Sequence, residues 1–469
     1  MERISTDICI IGAGSGGLSV AAGAAQMGAR VVLIEGAAMG GDCLNYGCVP
    51  SKALLAAGRA AQAIRAGVPG IAGAEPQIDF AAVKAQVAAV IAQIAPMDSQ
   101  ERFEGFGVQV IRAYARFINS REVEAGGKII RARRFVIATG SYPTIPDVPG
   151  LDAIPYLTNE TVFAQNARPD HLLILGGGPI AMEMAQAHRR LGCAVTVIAR
   201  SRVLSRVDPE AAAVVLTALR AEGIEVLEGR DIARLRAVPQ GLEAVLNDGT
   251  TLTGSHLLIA TGRSPALAKL DLPAAGVAYS DKGVTVGPNL RSSNRRIFAV
   301  GDVAGGLQYT HVAGAHAGVV IKQMLFGLPA KQARMVPMVT YTDPELAQIG
   351  LTEAEARAAH PQVQVIRQEF LHNDRAVTDG QTEGFLKLML VKGRPIGVTI
   401  VGAGAGELIG LWALAMTSGL KVGGLAAMIA PYPTRGEISK RAAGAYFSPK
   451  LFDNMAVKRV VRLVQRLLP

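Results

Sequence analysis

Two of the four cysteines, Cys43 and Cys48, lie in a glycine-containing stretch, residues 40–52, with four residues between them. Five helical steps rise about 7.5 Å. This exceeds the Cα separation of roughly 7 Å that a disulfide tolerates, and an extended strand would separate the residues further. The two thiols can therefore meet only if the backbone winds tightly between them, and Gly47 can adopt the unusual dihedral angles that such a turn needs. The spacing by itself fits either a redox pair or two reduced, buried thiols.

The number of cysteines argues against a structural disulfide framework. Four cysteines in 469 residues are too few for one, and a close pair in a reducing compartment is typical of a catalytic or metal-binding site. The other two, Cys9 and Cys193, lie in or beside strand-like apolar runs, where cysteine acts as a small hydrophobic residue. We therefore assign chemistry to Cys43 and Cys48 alone, and we predict no resident metal site.

Length and composition predict a large protein of two to four domains. Half of its residues are apolar, which suffices for several cores. No run of about 18 uncharged apolar residues occurs, so we expect no membrane-spanning helix. The first residues show no secretory signal pattern, and we expect a cytoplasmic protein. The net charge of +10 fits anionic partners. Because no nucleic-acid-binding module is recognisable, we expect these partners to be anionic cofactors and not nucleic acid.

The pattern at residues 12–17 is typical of dinucleotide binding, because Gly-Ala-Gly-Ser-Gly-Gly lies between a strand-like and a helix-like run. Gly12 allows the tight turn, Gly14 lets a pyrophosphate approach the backbone, and Gly17 allows close helix–strand packing. Glu35 follows a second strand-like run, 23 residues after Gly12. An acid at this place accepts hydrogen bonds from a ribose hydroxyl. The alternative is a glycine-rich turn with no ligand.

A second fingerprint of the same kind begins at Gly176. Gly178 takes the next glycine position and Ala181 the third, so the chain has two dinucleotide folds and we expect two dinucleotides. The strand that follows ends at Arg200 where an NAD site would carry an acid, and Arg206 comes shortly afterwards. Arginines at this place favour a 2′-phosphate. We therefore predict a preference for NADPH over NADH, unless these arginines only form a solvated face.

Apolar runs end in three further short motifs, which are Thr139-Gly140, Thr261-Gly262-Arg263 and Gly301-Asp302. The second echoes the first and is expected to return the chain to the first domain. Asp302 could hold a polyol hydroxyl.

Periodicity predicts several further elements. Long helices or helical stretches are expected over residues 53–64, 79–103 and 406–418. Strands are expected over residues 108–117, 128–138, 385–391 and 395–401. The change in composition near residue 335 indicates a separate α+β domain.

Residues 455–468 have the spacing of an amphipathic helix. Basic side chains share one side and aliphatic side chains the other, and the basic ones are Lys458, Arg459, Arg462 and Arg466. One interpretation is a terminal helix that docks on the body of the protein. The other is a basic helix that meets an acidic surface or a membrane.

Taken in order, these motifs resemble the class I pyridine nucleotide–disulfide oxidoreductases over nearly the whole chain. That family of FAD flavoproteins includes glutathione reductase, lipoamide dehydrogenase and mercuric reductase. The resemblance implies an α/β fold with two Rossmann-like dinucleotide-binding domains, for FAD and NAD(P)H, and a C-terminal α+β dimerisation domain. The implied segments are FAD-binding 1–147 and 265–335, NAD(P)H-binding 148–264, dimer interface 336–454, and a basic amphipathic C-terminal helix 455–469.

The resemblance also assigns roles to single residues. Cys43 corresponds to the interchange thiol that meets the substrate, and Cys48 to the thiol that contacts the flavin. Lys52 corresponds to the lysine beside the flavin, Glu183 to its glutamate partner, and Asp302 to the residue that binds the FAD ribitol. The other positions carried over are Gly12, Gly14, Gly17, Glu35, Thr139 and Gly140 for FAD, and Gly176, Gly178, Ala181, Arg200, Arg206 and Gly262 for NADPH.

The most informative departure from the family pattern is Tyr432. Glutathione reductase and lipoamide dehydrogenase carry His-Pro-Thr-x-x-Glu here, donated from the other subunit, whereas this chain keeps Glu437 but has tyrosine in place of the histidine. A free tyrosine has a pKa of about 10, so roughly 0.1% is ionised at neutral pH, and it is a poor base. The resemblance implies a homodimer in which Tyr432 and Glu437 act in trans, with weak oxidation of dihydrolipoyl dithiols.

Mercuric reductase has tyrosine in this motif and is similar to this chain at several other stretches. It also ends in a Cys-Cys pair that passes Hg(II) inward, and no cysteine follows Cys193 here. We expect NADPH to supply electrons through FAD to a Cys43–Cys48 disulfide and on to a thiol-reactive acceptor. That acceptor would be a soft metal ion, a disulfide or a reactive electrophile. The alternatives are a lipoamide dehydrogenase-like enzyme and a membrane-docked redox sensor.

Overall fold

The computed structural model describes residues 1–468. The α-helices are α1 (Ser15–Gln26), α2 (Gly41–Asn45), α3 (Cys48–Ala66), α4 (Phe80–Ile94), α5 (Gln100–Gly105), α6 (Pro179–Arg190), α7 (Pro209–Ala221), α8 (Thr310–Phe326), α9 (Glu353–Ala359), α10 (Asp374–Thr378), α11 (Ala405–Thr417), α12 (Val422–Ala427), α13 (Glu437–Ala445), α14 (Ser448–Phe452) and α15 (Met455–Leu467). Short 3₁₀ helices span Ala95–Asp98, Leu151–Ala153, Val162–Ala164, Gly301–Ala304 and Phe370–His372.

The strands are β1 (Glu2–Ile11), β2 (Val31–Ile34), β3 (Gln109–Ile111), β4 (Ala115–Asn119), β5 (Glu122–Ala125), β6 (Lys128–Ile137), β7 (Ser141–Pro143), β8 (His171–Leu175), β9 (Ala194–Ala199), β10 (Glu225–Glu228), β11 (Ile232–Val238), β12 (Gly241–Leu246), β13 (Thr251–Gly254), β14 (His256–Ile259), β15 (Arg263–Pro265), β16 (Tyr279–Ser280), β17 (Gly283–Val284), β18 (Ile297–Ala299), β19 (Met338–Thr340), β20 (Glu345–Gly350), β21 (Gln364–Glu369), β22 (Phe385–Val391) and β23 (Arg394–Gly402).

These elements form two compact units. Unit 1 contains residues 1–176, 187–198 and 230–334, and unit 2 contains residues 177–186, 199–229 and the chain from 335 onwards. The predicted NAD(P)H segment, 148–264, therefore contributes residues to both units.

The main sheet of unit 1 is parallel along β3-β2-β1-β6, and β18 adds to β6 in the same direction. The carboxyl ends of four strands meet at one edge, because Ile11 is in register with Ile34 and Ile137, and Ile137 is in register with Ala299. Ligands of open parallel sheets bind at this edge. The loops that follow these strand ends carry four of the predicted FAD residues, which are Gly12, Glu35, Thr139 and Asp302.

Two cores cover the faces of this sheet. Along β1, Cys9 and Ile11 belong to one core and Ile8 and Ile10 to the other, as the two-residue period of a strand requires. This apolar pattern on both faces is typical of a parallel sheet buried on both sides. The prediction that Cys9 is a core residue is confirmed.

A second parallel arrangement in unit 1 repeats the first. β8 pairs with β9 and with β14, and Leu175 is in register with Ile198 and Ile259. The antiparallel sheet β11-β12-β13 and the paired strands β7 and β15 complete this part of the unit. After β14, the chain forms β15, which pairs with β7 in a separate two-stranded sheet, and it rejoins the first sheet at β18.

The core of unit 2 is the antiparallel sheet β19-β20-β23-β22-β21. Its centre holds Trp412, which is fully buried and donates its indole N–H to Ser439 Oγ at 3.0 Å. On the same sheet, the buried Lys387 ammonium lies 3.0 Å from Asp208, 2.9 Å from Glu353 and 3.1 Å from Glu210. A buried cation with several carboxylate partners avoids the penalty of an unpaired internal charge. The predicted α/β class with an α+β domain after residue 335 is confirmed.

Three expected elements are different in the structure. The helix predicted over 79–103 is broken into α4, a 3₁₀ turn and α5, because Pro96 lacks the N–H of a continuous helix and its ring clashes with the preceding turn. The strand predicted over 108–117 is split into β3 and β4. The helix expected from residue 53 begins five residues earlier, at Cys48.

One helical segment among residues 1–468, residues 80–105, is long and apolar enough to cross a membrane by length and composition alone. We expected no such segment. That criterion is weak evidence, because core helices also meet it. Here Lys84 lies within the segment, is buried, and donates its ammonium to the Val162 carbonyl at 2.7 Å. This contact packs one face of α4 on the rest of unit 1.

Candidate active site

The two cysteines lie on either side of a very tight turn. Cys43 is in α2, which ends at Asn45, and Cys48 begins α3. Gly47 joins the helices with φ −125° and ψ −111°. A Cβ there would lie 2.9 Å from Asp42 Oδ2 and 3.0 Å from the Asp42 carbonyl oxygen. Only glycine fits this space without a shift, so the expected winding of the backbone between the two thiols is confirmed.

The structure shows the pair as two free thiols in hydrogen-bonding contact with each other. Cys48 Sγ also lies 3.4 Å from Thr310 Oγ1. Cys48 is the first residue of α3 and Thr310 is the first residue of α8. The N-terminus of a helix is the positive end of its dipole and favours a thiolate. Two helix N-termini therefore meet at one sulfur.

In the reduced pair, the surrounding groups stabilise the negative charge on the sulfur of Cys48. The hydrogen bond from the Cys43 thiol lowers the pKa of Cys48 to about 6; burial opposes this effect, and the Thr310 hydroxyl and the Lys52 charge add to it. The same contact with Cys48, together with burial, raises the pKa of Cys43. In the reduced state Cys48 is a thiolate at neutral pH and Cys43 keeps its proton.

The sequence contains a signal for the start of α3 at Cys48. Pro50 is the third residue of the helix, and proline is tolerated only in the first turn, where the N–H has no partner within the helix. A proline two residues after Cys48 is therefore a signal for a helix that begins at or near Cys48. The contribution of Thr310 could not be found this way, because 262 positions separate it from Cys48.

The predicted glycines of the first fingerprint have distinct roles in the structure. Gly12 has φ +106°, and a Cβ on it would lie 2.3 Å from the Ala138 carbonyl oxygen. A Cβ on Gly17 would lie 1.9 Å from the Gly12 carbonyl oxygen. A Cβ on Gly14 would meet only Gly41, at 3.9 Å. Gly12 and Gly17 are thus required by packing, whereas Gly14 leaves the turn open at the N-terminus of α1, where a pyrophosphate would bind.

The same turn is held directly against the cysteine stretch. Gly41 has φ +61°, and a Cβ on it would lie 2.6 Å from Gly14 Cα. The Gly40 N–H donates to the Ala13 carbonyl at 3.0 Å. These contacts place α2, with Cys43, beside the first fingerprint.

Glu35 lies at the end of β2 and is nearly buried. Its two carboxylate oxygens each accept a backbone N–H at 2.6 Å, from Ala13 and Ala37. A carboxylate has about four acceptor sites, so each oxygen keeps capacity for a ribose hydroxyl. These two hydrogen bonds, one of them from the turn of the first fingerprint, fix the orientation of the Glu35 carboxylate.

A network around Arg263 connects the Asp302 loop to the cysteine stretch. The guanidinium donates to Ser141 Oγ at 2.8 Å and lies 3.0 Å from Asp42 Oδ1 and 3.8 Å from Asp302 Oδ2. Ser141 Oγ donates to Asp302 at 2.5 Å. Burial raises the pKa of Asp302, while Ser141 and Arg263 oppose that rise. The motif alone does not predict this role of Arg263, and its position directly after the repeated Thr-Gly pair is the signal that the sequence offers.

The two Thr-Gly pairs tie the crossing chains together. Thr139 Oγ1 donates to the Ala266 carbonyl at 2.8 Å, and Thr261 Oγ1 donates to the Thr144 carbonyl at 2.8 Å. Gly140 and Gly262 have positive φ angles of 69° and 134°. Their common role here is to hold β7 and β15 in place at the carboxyl edge of the sheet.

The second fingerprint reproduces the geometry of the first. Gly176 has φ +138°, and a Cβ on it would lie 2.2 Å from the Ala260 carbonyl oxygen. Gly12 has the corresponding close contact with the Ala138 carbonyl oxygen. A Cβ on Gly178 would meet nothing within 4 Å. Ala181, in the third position, is fully buried in α6. The turn at Gly178 is therefore as open as the one at Gly14.

The predicted arginines lie in the loop of unit 2 between β9 and α7. Arg200, Arg202 and Arg206 are all exposed, and among residues 1–468 no carboxylate forms an ion pair with them. The loop is fixed by Val203, whose N–H donates to Glu228 Oε1 at 2.8 Å, and by Leu204, whose N–H donates to the Gly177 carbonyl at 2.8 Å. An anchored loop with three unpaired guanidiniums is suited to an anionic group.

Three further predicted residues also lie in unit 2. Glu183 is buried in α6 and accepts the Tyr341 N–H at 3.0 Å. Tyr432 is exposed, and its hydroxyl donates to Asp374 Oδ2 at 3.0 Å. That hydrogen bond and the Asp374 charge raise the pKa of Tyr432. Glu437, at the start of α13, has a buried Oε2 with no hydrogen-bond partner among the described residues.

Comparison with known proteins places these features in context. Residues 6–317 match the family model "Pyridine nucleotide-disulphide oxidoreductase", and residues 336–443 match the dimerisation domain of the same family. Mercuric reductase of Streptomyces lividans is 37% identical over 456 residues, which cover 94% of this chain and 96% of that protein. Mercuric reductase of Shigella flexneri is 35% identical over 456 residues, with coverage of 94% and 80%.

A solved structure is also similar over most of its length. The Cu(II) complex of the HOCl-induced flavoprotein disulfide reductase RclA from Escherichia coli aligns with a TM-score of 0.84 and 27% identity. The alignment covers 93% of this chain and 99% of that one.

The ionisation order of the two thiols is directly measurable. In the reduced protein, alkylation of Cys48 by iodoacetamide should rise with a midpoint at about pH 6, because the thiolate is the reactive species. Thr310→Val removes a donor and should move that midpoint to higher pH, whereas Thr310→Ser keeps the hydroxyl and should not. Peptide mass spectrometry after short alkylation at each pH gives the profile. Faster alkylation of Cys43 than of Cys48 at pH 7 would contradict the assignment.

Proposed function

The chain belongs to the pyridine nucleotide-disulphide oxidoreductase family, and from that membership we propose that it reduces an acceptor that binds directly to the Cys43–Cys48 dithiol. Members of this family are FAD-dependent and use a pyridine nucleotide. The observation that carries the proposal is the arrangement of the reduced pair, with an acidic Cys48 between two helix N-termini and a protonated Cys43 beside it.

The residues at the carboxyl edge of the main sheet of unit 1 fit FAD. Gly14 leaves room for the pyrophosphate, Glu35 has free acceptor capacity for the ribose, and Asp302 has a carboxylate for the ribitol. When bound, FAD supplies two-electron transfer between the pyridine nucleotide and the Cys43–Cys48 disulfide. The polypeptide positions the disulfide and stabilises the Cys48 thiolate that its reduction leaves.

The choice of acceptor follows from the position of the remaining proton. Before Cys43 can attack or ligate anything, its thiol must lose that proton, and the raised pKa of Cys43 makes the loss unfavourable without help. A soft metal ion can itself promote the loss of this proton. When the ion binds to the Cys48 thiolate it lies next to the Cys43 sulfur, and ligation by that sulfur releases the thiol proton to solvent. An organic dithiol gives no such assistance and depends on a protein base.

Tyr432 does not provide a good base for that purpose. Its hydroxyl is hydrogen-bonded to Asp374, and the pKa of the phenol is raised. We infer that the partner's copy of this residue positions a ligand by hydrogen bonding, and that Glu437, with an unpartnered Oε2, meets a donor in the assembled dimer. These inferences favour metal ions and thiol-reactive oxidants over dihydrolipoamide as substrates.

The names of the relatives agree with this class of acceptor. Two of them are mercuric reductases, and the similar solved structure is a Cu(II) complex of an HOCl-induced enzyme. We propose that the physiological acceptor is a thiophilic metal ion, with Hg(II) and Cu(II) as the first ions to assay.

The role of Cys43 can be tested by substitution. Cys43→Ser should leave reduction of bound FAD by NADPH intact in a stopped-flow experiment, and it should lower steady-state NADPH oxidation with Hg(II) or Cu(II) at least a hundredfold. Cys193→Ser, at a buried cysteine outside the site, is the control and should retain turnover. If Cys43→Ser turns over as fast as the wild type, bound flavin reduces the acceptor directly and the proposal is wrong. Small disulfides, quinones and hypothiocyanite in the same assay identify competing acceptors.

The importance of the missing base can be tested at Tyr432. Tyr432→His restores a group with a pKa near 6.5, so NAD-linked oxidation of dihydrolipoamide should rise at least tenfold in kcat. Tyr432→Phe should stay at the wild-type level, since neither residue acts as a base at pH 7.5. Wild-type turnover within tenfold of the histidine variant would show that the reaction does not need this base.

We further propose that NADPH is the preferred donor, supported by the unpaired guanidiniums of Arg200, Arg202 and Arg206. Arg200→Ser combined with Arg206→Ser should reduce the ratio of kcat/KM for NADPH to that for NADH at least tenfold, which corresponds to about 1.4 kcal/mol. The exposed Arg121→Ser serves as the control and should leave the ratio unchanged. An unchanged ratio in the double variant would mean that these arginines only form a solvated face.

A further inference from the structure

The helix α15, Met455–Leu467, exposes most of its aliphatic side chains. Asn454 caps it by accepting the N–H groups of Ala456 and Val457 at 2.9 and 3.4 Å. The helix contains no buried residue among those described. Leu467, for example, is 72% exposed. The structure thus has a capped, formed helix whose apolar side is not covered by the rest of the chain. Residue 469, the last of the predicted segment, lies outside the described residues.

The aliphatic side of α15 is wide and continuous. At 100° per residue its aliphatic positions span an arc of roughly 160°, wider than the stripe of about 100° that is usual for a surface helix packed on a core. Those positions are Val457, Val460, Val461, Leu463, Val464, Leu467 and Leu468. The preceding helix, α14, adds the exposed Leu451 and Phe452. Apolar surface of this extent on a soluble protein marks an interaction site.

The charged residues on the opposite side of α15 are all basic. It carries Lys458, Arg459, Arg462 and Arg466, and no acidic residue occurs between 454 and 468. Among residues 1–468, no carboxylate forms an ion pair with these four cations. A helix with aliphatic residues on one side and cations as the only charged residues on the other is the pattern of helices that lie in the interface of an anionic bilayer. There the aliphatic side enters the acyl region and the cations stay at the head groups.

The helix also lies outside the part of the chain that matches the dimerisation domain, which ends at residue 443. A second copy of the chain would have to cover an aliphatic arc and also neutralise four cations. The protein as a whole has a net charge of +10, which opposes burial of more positive charge between two copies. An anionic lipid surface satisfies both sides of the helix at once.

We propose that α15 is a docking helix that binds the protein reversibly to membranes rich in anionic lipid. The helix lies in the plane of the interface, with Val460, Leu463 and Leu467 inserted and the four cations among the lipid phosphates. This function is independent of the acceptor chemistry at Cys43 and Cys48.

Vesicle co-sedimentation of the FAD-loaded, full-length protein tests the proposal. Binding to vesicles that contain one quarter phosphatidylglycerol should exceed binding to pure phosphatidylcholine vesicles at least tenfold. It should fall at least tenfold in 1 M NaCl, where the screening length is about 3 Å. Two triple variants should each lose at least tenfold in binding to the anionic vesicles. One, Val460→Gln with Leu463→Gln and Leu467→Gln, keeps the charge, and the other, Lys458→Gln with Arg462→Gln and Arg466→Gln, keeps the aliphatic side.

The matched control removes three exposed cations elsewhere, by Arg121→Gln, Lys331→Gln and Arg334→Gln, and should bind like the wild type. Leu463→Trp adds a reporter for insertion. Its fluorescence should shift to shorter wavelength on anionic vesicles, while the native Trp412, which is buried, contributes a constant background. NADPH oxidation should stay at the wild-type level in every variant.

Several outcomes would overturn the proposal. Wild-type protein that does not sediment with anionic vesicles would do so, and so would a charge-preserving triple variant that binds like the wild type. Leu463→Trp without a spectral shift would show adsorption by charge alone. If light scattering shows that the aliphatic variant changes the size of the oligomer while vesicle binding is absent throughout, the helix packs on a second copy of the chain instead.

Discussion

The ionised sulfur of Cys48 is the constraint on which the architecture of the site depends. It requires positive potential and hydrogen-bond donors on several sides, and these come from distant parts of the sequence. The hydrogen bond from Cys43 acts on it most strongly, and the Thr310 hydroxyl and the Lys52 charge add to that effect. The N-termini of α3 and α8 also meet at this sulfur. The parallel sheet brings these groups together, because its strands end at one edge and the segments that follow the strands begin there.

Contacts that admit only glycine determine how closely this sulfur approaches the nucleotide turn. The first fingerprint and the cysteine stretch touch through the backbones of Gly14 and Gly41, where an added Cβ would lie 2.6 Å from a Cα atom. Gly47 closes the turn between the two thiols in the same way. A side chain at Gly41 would press on the backbone of the fingerprint, and one at Gly47 would press on Asp42 within the turn between the two thiols. The glycines of two different motifs therefore form one structural unit.

The sequence predicted the parts of the site that local geometry encodes, and it missed those that arise from tertiary contacts. The roles of Gly12 and Gly17 follow from a turn of six residues, and Gly176 repeats the first of them, so both fingerprints were recognisable. Arg263 joins Asp302 to Asp42 only after the chain has crossed from one sheet to the other. Thr310 reaches Cys48 only when the first residues of α8 and α3 meet in the folded protein. The helix predicted through Pro96 is wrong for a different reason, because apolar periodicity continues past a proline whose missing N–H interrupts the helix.

Under the proposed function, the hydrogen bond that makes Cys48 acidic would also let the site discriminate among acceptors. Cys43 keeps its proton and donates a hydrogen bond to the Cys48 thiolate, so it is the weaker nucleophile of the pair. The family resemblance nevertheless implies that Cys43 is the thiol that meets the substrate. An acceptor that cannot displace that proton meets a protonated thiol and reacts slowly. A thiophilic cation bound first by Cys48 withdraws electron density from the thiolate, which weakens the hydrogen bond and lowers the cost of ionising Cys43. On this proposal, the second ligand becomes available only after the first has bound, so the two thiols would bind a soft cation without a separate base.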